Sequence, residues 1–385
     1  MHKPVRVLVG SLAAGVLPAA EVGPPDGTVL LDLGRGHPSN AGLLELKLWT
    51  EDGLVTSARI VVGAMHRGAE KLFEVRDYRQ ILMLADRHDW QAPFFGELAV
   101  ALACEQMLGL TVPARAVWLR TLLAEHTRIL SHLGFLSYLE HRSGVDVGLE
   151  PVREQLRSQT ARLTGNRIHP MANRVGGLAV DAEPGWLAGE REVVDGTRAV
   201  APRLFDLLNS EPVAALTRGT ALLDRAVVEQ YGVSGPAARA AGVDLDLRRQ
   251  QPGLAYPELL VRASTRTEGD AYARLAGFID EVASSADLVA ACIDRLADQP
   301  GPVAVKLGKI VRLPEGEAYV AVEAPLGIAG VFVVSRGEKT PWRMKLRTPS
   351  FSNVSALESV LVGVRTDQIE ATLASIGYVV GDIDR

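Results

Sequence analysis

Apolar and polar positions alternate through the first sixty residues. "TVLLDLG" (28–34) and "LLELKLW" (43–49) put apolar and polar side chains on opposite faces, and "LVTSARIVVG" (54–63) adds a third run of the same kind. A period of two predicts strands. Gly-Pro-Pro-Asp-Gly (23–27) and Glu-Asp-Gly (51–53) supply turn chemistry between them. Further upstream, "VRVLVGSL" (5–12) predicts a first strand ahead of a Pro/Gly loop. The segment "MHKPVRVLVGSLAAGVLPAA" also carries the basic, apolar and small residues of a secretory leader. The rest of the chain has no extracellular character, which favours the strand.

From residue 66 the period lengthens. "ELAVALACEQMLGL" (97–110) is apolar nearly all round, as a buried helix is. After Pro113, residues 114–141 repeat apolar positions at spacings of three and four, which predicts one long helix. A further amphipathic helix over 150–164 stops at Thr-Gly-Asn, two more lie within 184–230, and another spans 268–298. Strand character returns over 302–347 in "VAVKLGKIVRL", "AYVAVEAP", "AGVFVVSRG" and "WRMKLRTP", and 354–377 reads as a helix. The elements segregate rather than alternate, so the fold class is α+β. The expected plan is an N-terminal β-rich domain (1–63), a helical core packed as a bundle (64–300) and C-terminal strands with a helix (301–385).

Composition narrows the chemistry. At 385 residues, with 47% hydrophobic and 23% charged residues, the chain suffices for two domains or one large one with a substantial core. A net charge of −5 and the lack of any Lys/Arg stripe argue against nucleic acid as a partner. Cys104 and Cys292 are too few for a disulfide framework and sit in helical apolar runs, as buried free thiols do. No apolar run reaches the ~20 residues of a membrane-spanning helix. His66, His88, His126, His132, His141 and His169 show no metal-ligand spacing with cysteine, and His126 and His132 fall on the long helix in packing positions. A Gly-rich phosphate loop, a nucleophile elbow and a kinase set are all missing.

Several segments together are specific. "HRGAEKLFEVRDYRQILMLADRHDW" (66–90), "LTGNRIHPMANRVGG" (163–177), "GVSGPAARAAGVDLDLRR" (232–249), "EAPLGIAG" (323–330), "RTPSFSNVSAL" (347–357) and "VGDIDR" (380–385) resemble, in order, the D subunit of NADH-quinone oxidoreductase, the bacterial form of respiratory complex I. The resemblance implies a peripheral-arm subunit on the cytoplasmic face of the cell membrane. It would bind no cofactor of its own. It would dock against a B subunit that carries the terminal iron–sulfur cluster, beside a C subunit and a membrane arm, with FMN elsewhere in the assembly. Between this chain and the B subunit would lie the quinone cavity, and quinone reduction would be coupled to proton translocation. The same family resembles the large subunit of nickel–iron hydrogenases, whose metal is held by two Cys-x-x-Cys pairs. The matching positions here are Asp89, Ala92, Val379 and Asp382, which cannot build a thiolate site.

The resemblance also identifies a departure. The family's quinone loop reads His-Pro-Ser-Thr-His-Gly, and this chain has His37, Pro38, Ser39, Asn40, Ala41 and Gly42. The second histidine, which hydrogen-bonds a quinone carbonyl in the family, is Ala41. The family's head-group tyrosine is Trp90, within Arg87-His88-Asp89-Trp90. Leu139 or Arg142 falls where the family has a supporting aspartate. Alanine donates nothing, and the tryptophan N–H donates a hydrogen bond but no proton. His37, Ser39, Ala41, His88 and Trp90 are therefore the quinone-cavity candidates, with His88 or His141 as substitutes for the lost acid. Arg67 and His169 match residues near the partner's cluster. The alternative function is a paralogous subunit with altered head-group chemistry, acting as a scaffold or serving another acceptor.

Overall fold

The computed structural model describes residues 4–10, 28–34 and 36–385. Strands β1 (Val5–Val9), β2 (Thr28–Leu31), β3 (Leu44–Glu51) and β4 (Leu54–Val61) form a sheet of order β2-β1-β3-β4. β1 pairs parallel with β2 and antiparallel with β3. In β3 the alternation read from the sequence is the observed one: Leu44, Leu46 and Leu48 are buried, while Glu45 and Lys47 between them are partly exposed; in the edge strand β2 it is not, since the adjacent Val29 and Leu30 are both exposed. Val5–Val9 is thus a central strand of the sheet. The remainder of the expected first strand, beyond Gly10, and the 23–27 turn lie outside the described residues.

The helices follow as α1 (Ala69–Phe73), α2 (Tyr78–Ala85), α3 (Pro93–Leu108), α4 (Ala114–Ser143), α5 (Leu149–Thr164), α6 (Pro184–Asn209), α7 (Glu211–Thr217), α8 (Arg225–Tyr231), α9 (Gly235–Ala240), α10 (Leu247–Gln250) and α11 (Ala271–Ala297). α4 is the axis of the bundle and is buried on nearly every face from Ala116 to Leu139. Its polar residues must therefore be paired. His126 Nδ1 lies 2.6 Å from Glu190 and its Nε2 3.0 Å from the Thr160 hydroxyl; His132 Nε2 lies 2.9 Å from Glu281. Both histidines hold helices together, as their positions suggested. Cys104 and Cys292 are free and buried.

After two short strands, β5 (Asn173–Arg174) and β6 (Gly177–Leu178), the chain forms an antiparallel meander of β7 (Gly316–Ala324), β8 (Gly327–Ser335) and β9 (Arg343–Arg347). The strand expected over 303–313 is not one. Pro302, Gly308 and Pro314 interrupt the run. Among the described residues it forms a single bridge, from Ala304 to Gly177, and the Gly308 and Lys309 carbonyls accept from the Arg79 guanidinium instead of a neighbouring strand.

The helix expected over 354–377 is likewise split, into α12 (Pro349–Val360) and α13 (Ile369–Ile376), followed by α14 (Val380–Ile383). Gly363 adopts φ +82 at the break, and this turn pairs with β4 through Gly363 N–H to Val55 O (2.8 Å) and Val55 N–H to Val364 O (2.9 Å). Val354, Leu357, Ile376 and Val380 share one apolar cluster with Val7, Val9, Leu44 and Leu46. That shared core brings α14 beside the loop that follows β2.

Candidate functional site

The loop is a single 3-10 turn, Pro38–Asn40, with His37 as its cap. His37 Nδ1 accepts the Ser39 N–H at 3.3 Å, so the neutral ring carries its hydrogen on Nε2, which has no partner. The ring is 2% exposed and meets Phe135 of α4 edge-on at 5.5 Å. Burial, then the Arg153 guanidinium, pushes its pKa down to about 3, so His37 is uncharged at neutral pH. The buried Ser39 hydroxyl donates to the Tyr378 carbonyl at 3.0 Å. Ala41, just past the turn, is exposed.

Close approach of backbones seats this loop. A Cβ on Gly134 of α4 would lie 3.0 Å from Pro38 and 3.2 Å from Gln91, so the helix surface is flattened where the loop and the 88–91 turn meet it. A Cβ on Gly42 would lie 2.8 Å from Val380 and 2.9 Å from Met65; one on Gly381 would lie 2.2 Å from the Trp90 ring. The loop, Trp90 and α14 therefore pack together at one corner of the molecule. Trp90 is half-buried between the two main apolar clusters, and its indole Nε1 has no partner.

The two substitute histidines have different surroundings. His141, exposed, rests its ring where a Cβ on Gly34 would be, and its Nε2 is 3.7 Å from Glu370. His88, half-buried, meets Phe73 edge-on at 5.8 Å and faces Arg67, Arg385 and Glu70. Burial, reinforced by Arg67 and Arg385, pushes its pKa down to about 4. Its Nε2 has no partner.

Neither Leu139 nor Arg142 supports His37: Leu139 is core and Arg142 is exposed. The buried charge beside the loop is Arg153, whose guanidinium donates to the Gly36 carbonyl at 3.3 Å and to Glu150 at 2.7 Å. A basin of about 870 Å³ lined by Gly36, His141, Glu140, Glu150 and Arg153 opens there.

Arg67 is exposed and makes no ion pair among the described residues. His169, half-buried, donates from Nδ1 to the Asp86 carbonyl at 3.2 Å and lies 3.7 Å from Asp86 Oδ2. Burial and the Arg87 guanidinium lower its pKa.

Four carboxylates that sequence reasoning did not single out as acids surround this corner. Asp86 and Glu97 are fully buried, and each leaves one oxygen without a partner. Burial pushes Asp86 up to about 7 and Glu97 up to about 8. Asp89 and Asp382 line one small cavity of about 40 Å³ together with Ala92. Three of the four positions matched to hydrogenase thiolates thus meet at this cavity. Among the described residues no group of three or more His, Cys, Asp or Glu side chains is placed to hold a metal ion.

A solved structure of the membrane-bound sulfane sulfur reductase, an archaeal respiratory membrane complex, contains a chain of the same fold, with TM-score 0.84 and 31% identity over 89% of this chain and 94% of that one. The fold is therefore that of a component of a respiratory membrane complex. A family model for the "Respiratory-chain NADH dehydrogenase, 49 Kd subunit" matches residues 149–311 and 305–385. The NADH-quinone oxidoreductase D 1 subunit of Streptomyces coelicolor is 48% identical over 367 residues, covering 93% of this chain and 95% of that one. The corresponding D 2 subunit of Salinispora tropica is 48% identical over 361 residues, covering 93% of each. The chain belongs to this family, the D subunits of NADH-quinone oxidoreductases.

Proposed function

We propose that this chain and a B subunit carrying the terminal iron–sulfur cluster enclose a cavity in which a quinone accepts electrons derived from NADH, with reduction coupled to proton translocation by a membrane arm. The packing of the 37–42 loop, Trp90 and α14 at one corner, beside the small cavity lined by His88, Asp89 and Asp382, carries this reading. Arg67 is an exposed cation, unpaired among the described residues and suited to stabilise a reduced cluster across an interface, and His169 lies within reach of the same corner through Asp86. The electrons come from the partner side. Cys104 and Cys292, the chain's only thiols, are buried in α3 and α11, and burial pushes both well above the ordinary thiol range. Such thiols are poor cluster ligands. The terminal iron–sulfur cluster belongs to the B subunit and FMN to another subunit of the assembly, with a C subunit among this chain's neighbours.

In this arrangement His37 sets the loop and Ser39 ties it to the C-terminal segment. Ala41 and Trp90 face the quinone head group, and His88 borders it. No helix among the described residues is long and apolar enough to cross a membrane. The chain is held at the cytoplasmic face by its neighbours.

A second reading has a specific observation behind it. Ala41 offers the head group no hydrogen bond, and the buried Trp90 indole offers no proton. A relative of the same fold works in a sulfane sulfur reductase, so an acceptor other than quinone is the alternative. The test is NADH-driven quinone reduction by the purified assembled complex, wild type beside an Ala41→His, Trp90→Tyr double variant. The quinone reading predicts turnover by the wild type. Wild-type silence, with a gain of roughly a hundredfold or more in the double variant, would assign the native site to another acceptor.

A further inference from the structure

Reducing a quinone to a quinol consumes two protons, and the histidine and tyrosine that would deliver them are Ala41 and Trp90 here. We infer that Asp89 and Asp382 hold one proton between them, and that Asp89 passes it to the reduced acceptor. This rests on the quinone reading above.

Geometry supports the pair first. Asp89 sits in the turn between α2 and α3, and its Oδ1 accepts the N–H groups of Gln91 and Ala92 at 3.0 and 3.1 Å. Those bonds fix the carboxyl and leave Oδ2 as the free oxygen. Asp382 is 4% exposed in α14 and accepts the Ser350 N–H on Oδ2 at 3.1 Å. Both carboxylates line the same cavity of about 40 Å³, room enough for a bridging water. Two carboxylates facing one small cavity resist ionising together, because each negative charge raises the cost of the other.

The surrounding charges decide which one keeps the proton. Arg347 and Arg385 face Asp382, and Ser350 adds its donors, so the negative charge rests there. His88 lines the cavity as well, with Arg67 and Glu70 beyond it. Burial raises both acids, and the Asp382 charge raises Asp89 further. Asp89 is therefore the acid, protonated on Oδ2.

A second observation points the same way. The residues on either side of Asp89 each present a buried polar atom with no partner among the described residues: His88 Nε2 and Trp90 Nε1. Buried polar atoms are rarely left unpaired. His88 lines the cavity with Asp89, so unused hydrogen-bonding capacity lies beside the carboxyl where a polar head group would dock. Asp89 is only partly buried, so its free oxygen reaches that position.

The step balances. Two electrons arrive from the partner's iron–sulfur cluster, the Asp89 Oδ2–H bond breaks, and a new O–H bond forms on an acceptor oxygen. The second quinol proton comes from solvent. The pair, left doubly charged, regains its proton from water at the exposed edge of Asp89.

The test uses the assembled complex and follows kcat and KM for quinone against pH. Asp89→Asn is expected to lower kcat roughly a hundredfold with KM little changed, and Asp89→Glu to recover part of the loss. Asp382→Asn, which removes the neighbouring anion, is expected to move the alkaline limb of the kcat profile to lower pH by about one unit or more. An unchanged kcat and an unchanged limb in both Asn variants would overturn the inference. Infrared spectra read the shared proton without turnover: the wild type at pH 7 is expected to show a protonated-carboxyl component that Asp89→Asn lacks. Identical carboxyl spectra in the two proteins would overturn the pair whether or not quinone is reduced. A wild-type complex that shows the component but reduces no quinone at any pH would overturn the quinone reading and, with it, the delivery step.

Discussion

Buried carboxylates occupy two regions of this molecule and are treated in opposite ways. In the helical core every oxygen of Glu125, Glu281, Glu323 and Asp246 receives a donor. Glu125 takes Arg128, Arg248, Tyr256 and Ser285; Glu281 takes Arg239 and His132. Glu323 takes Arg239 and the Leu247 N–H, and Asp246 takes Arg248 on both oxygens. At the corner formed by the 37–42 loop, Trp90 and α14, Asp86 and Glu97 each keep an oxygen with no partner, and Asp89 and Asp382 share a cavity. The core network uses its acids for structure: against the cost of burial, their cationic and hydrogen-bonding partners lower Glu125 and Asp246, and lower Glu281 well below its ordinary value. At the other region burial raises Asp86, Glu97, Asp89 and Asp382 above their ordinary values. The same residue types are matched by cations in one network and raised by burial in the other.

Breaking the core side of the comparison has the largest expected effect. Glu281→Gln takes from the buried His132 its anion and from the buried Arg239 one of two carboxylate partners, leaving Glu323, and a loss of about 3–5 kcal/mol is expected in urea denaturation. The corner side responds with the opposite sign. Asp86 holds its proton in the folded chain up to about pH 7, whereas an unfolded aspartate loses it near 3.8. Between those values the folded state binds more protons than the unfolded state, so Asp86 makes stability fall as pH rises. Asp86→Asn removes this dependence. The variant should gain on the wild type by up to ~1.4 kcal/mol per pH unit through that window, and pH-resolved denaturation measures it.

Steric contact sharpens the corner further. Gly381→Ala places a methyl 2.2 Å from Trp90 and 2.6 Å from the His88 carbonyl, and the carbonyl cannot move aside freely. A cost of about 1–3 kcal/mol is expected, together with a weaker KM for the acceptor. The smallest effect lies outside both regions. Asp77 caps α2 through the Arg79 and Gln80 N–H groups, with Gln80 completing a capping box. Asp77→Ala should cost about 1 kcal/mol in a thermal melt and leave both acid sets in place.

Much of the fold is written in local pattern. The alternation of Leu44, Leu46 and Leu48 gave the correct buried face, and the apolar spacing of 114–141 gave α4 to within two residues of its end. Local pattern failed where partners decide. Residues 303–313 alternate like a strand, yet only 303–305 meet a neighbouring edge, at 176–178, and Arg79 takes the Gly308 and Lys309 carbonyls. Residues 354–377 are apolar like a helix, yet β4 claims the backbone at Gly363.

The motif segments singled out the 37–42 loop, Trp90, Arg67 and His169 as candidates, and the structure brings the loop and Trp90 together through α14. It was not legible as electrostatics. Nothing in "ADRHDW" distinguishes the buried Asp86 from a surface acid, and Arg153 sits on an ordinary amphipathic helix more than a hundred residues from the loop it supports. His37 could be read as a ligand or as a turn residue, and burial beneath Phe135 places it in the turn.

The central claim is that the acceptor's head group binds between the 37–42 loop, Trp90 and α14. Photolabelling the assembled complex with an azidoquinone and mapping the modified peptides tests this directly. The account predicts label on residues 36–42, 88–91 and 380–383, displaced by excess quinone. Label confined to the other sizeable apolar cavity, about 410 Å³ between Phe95, Leu98 and Leu254, would contradict it.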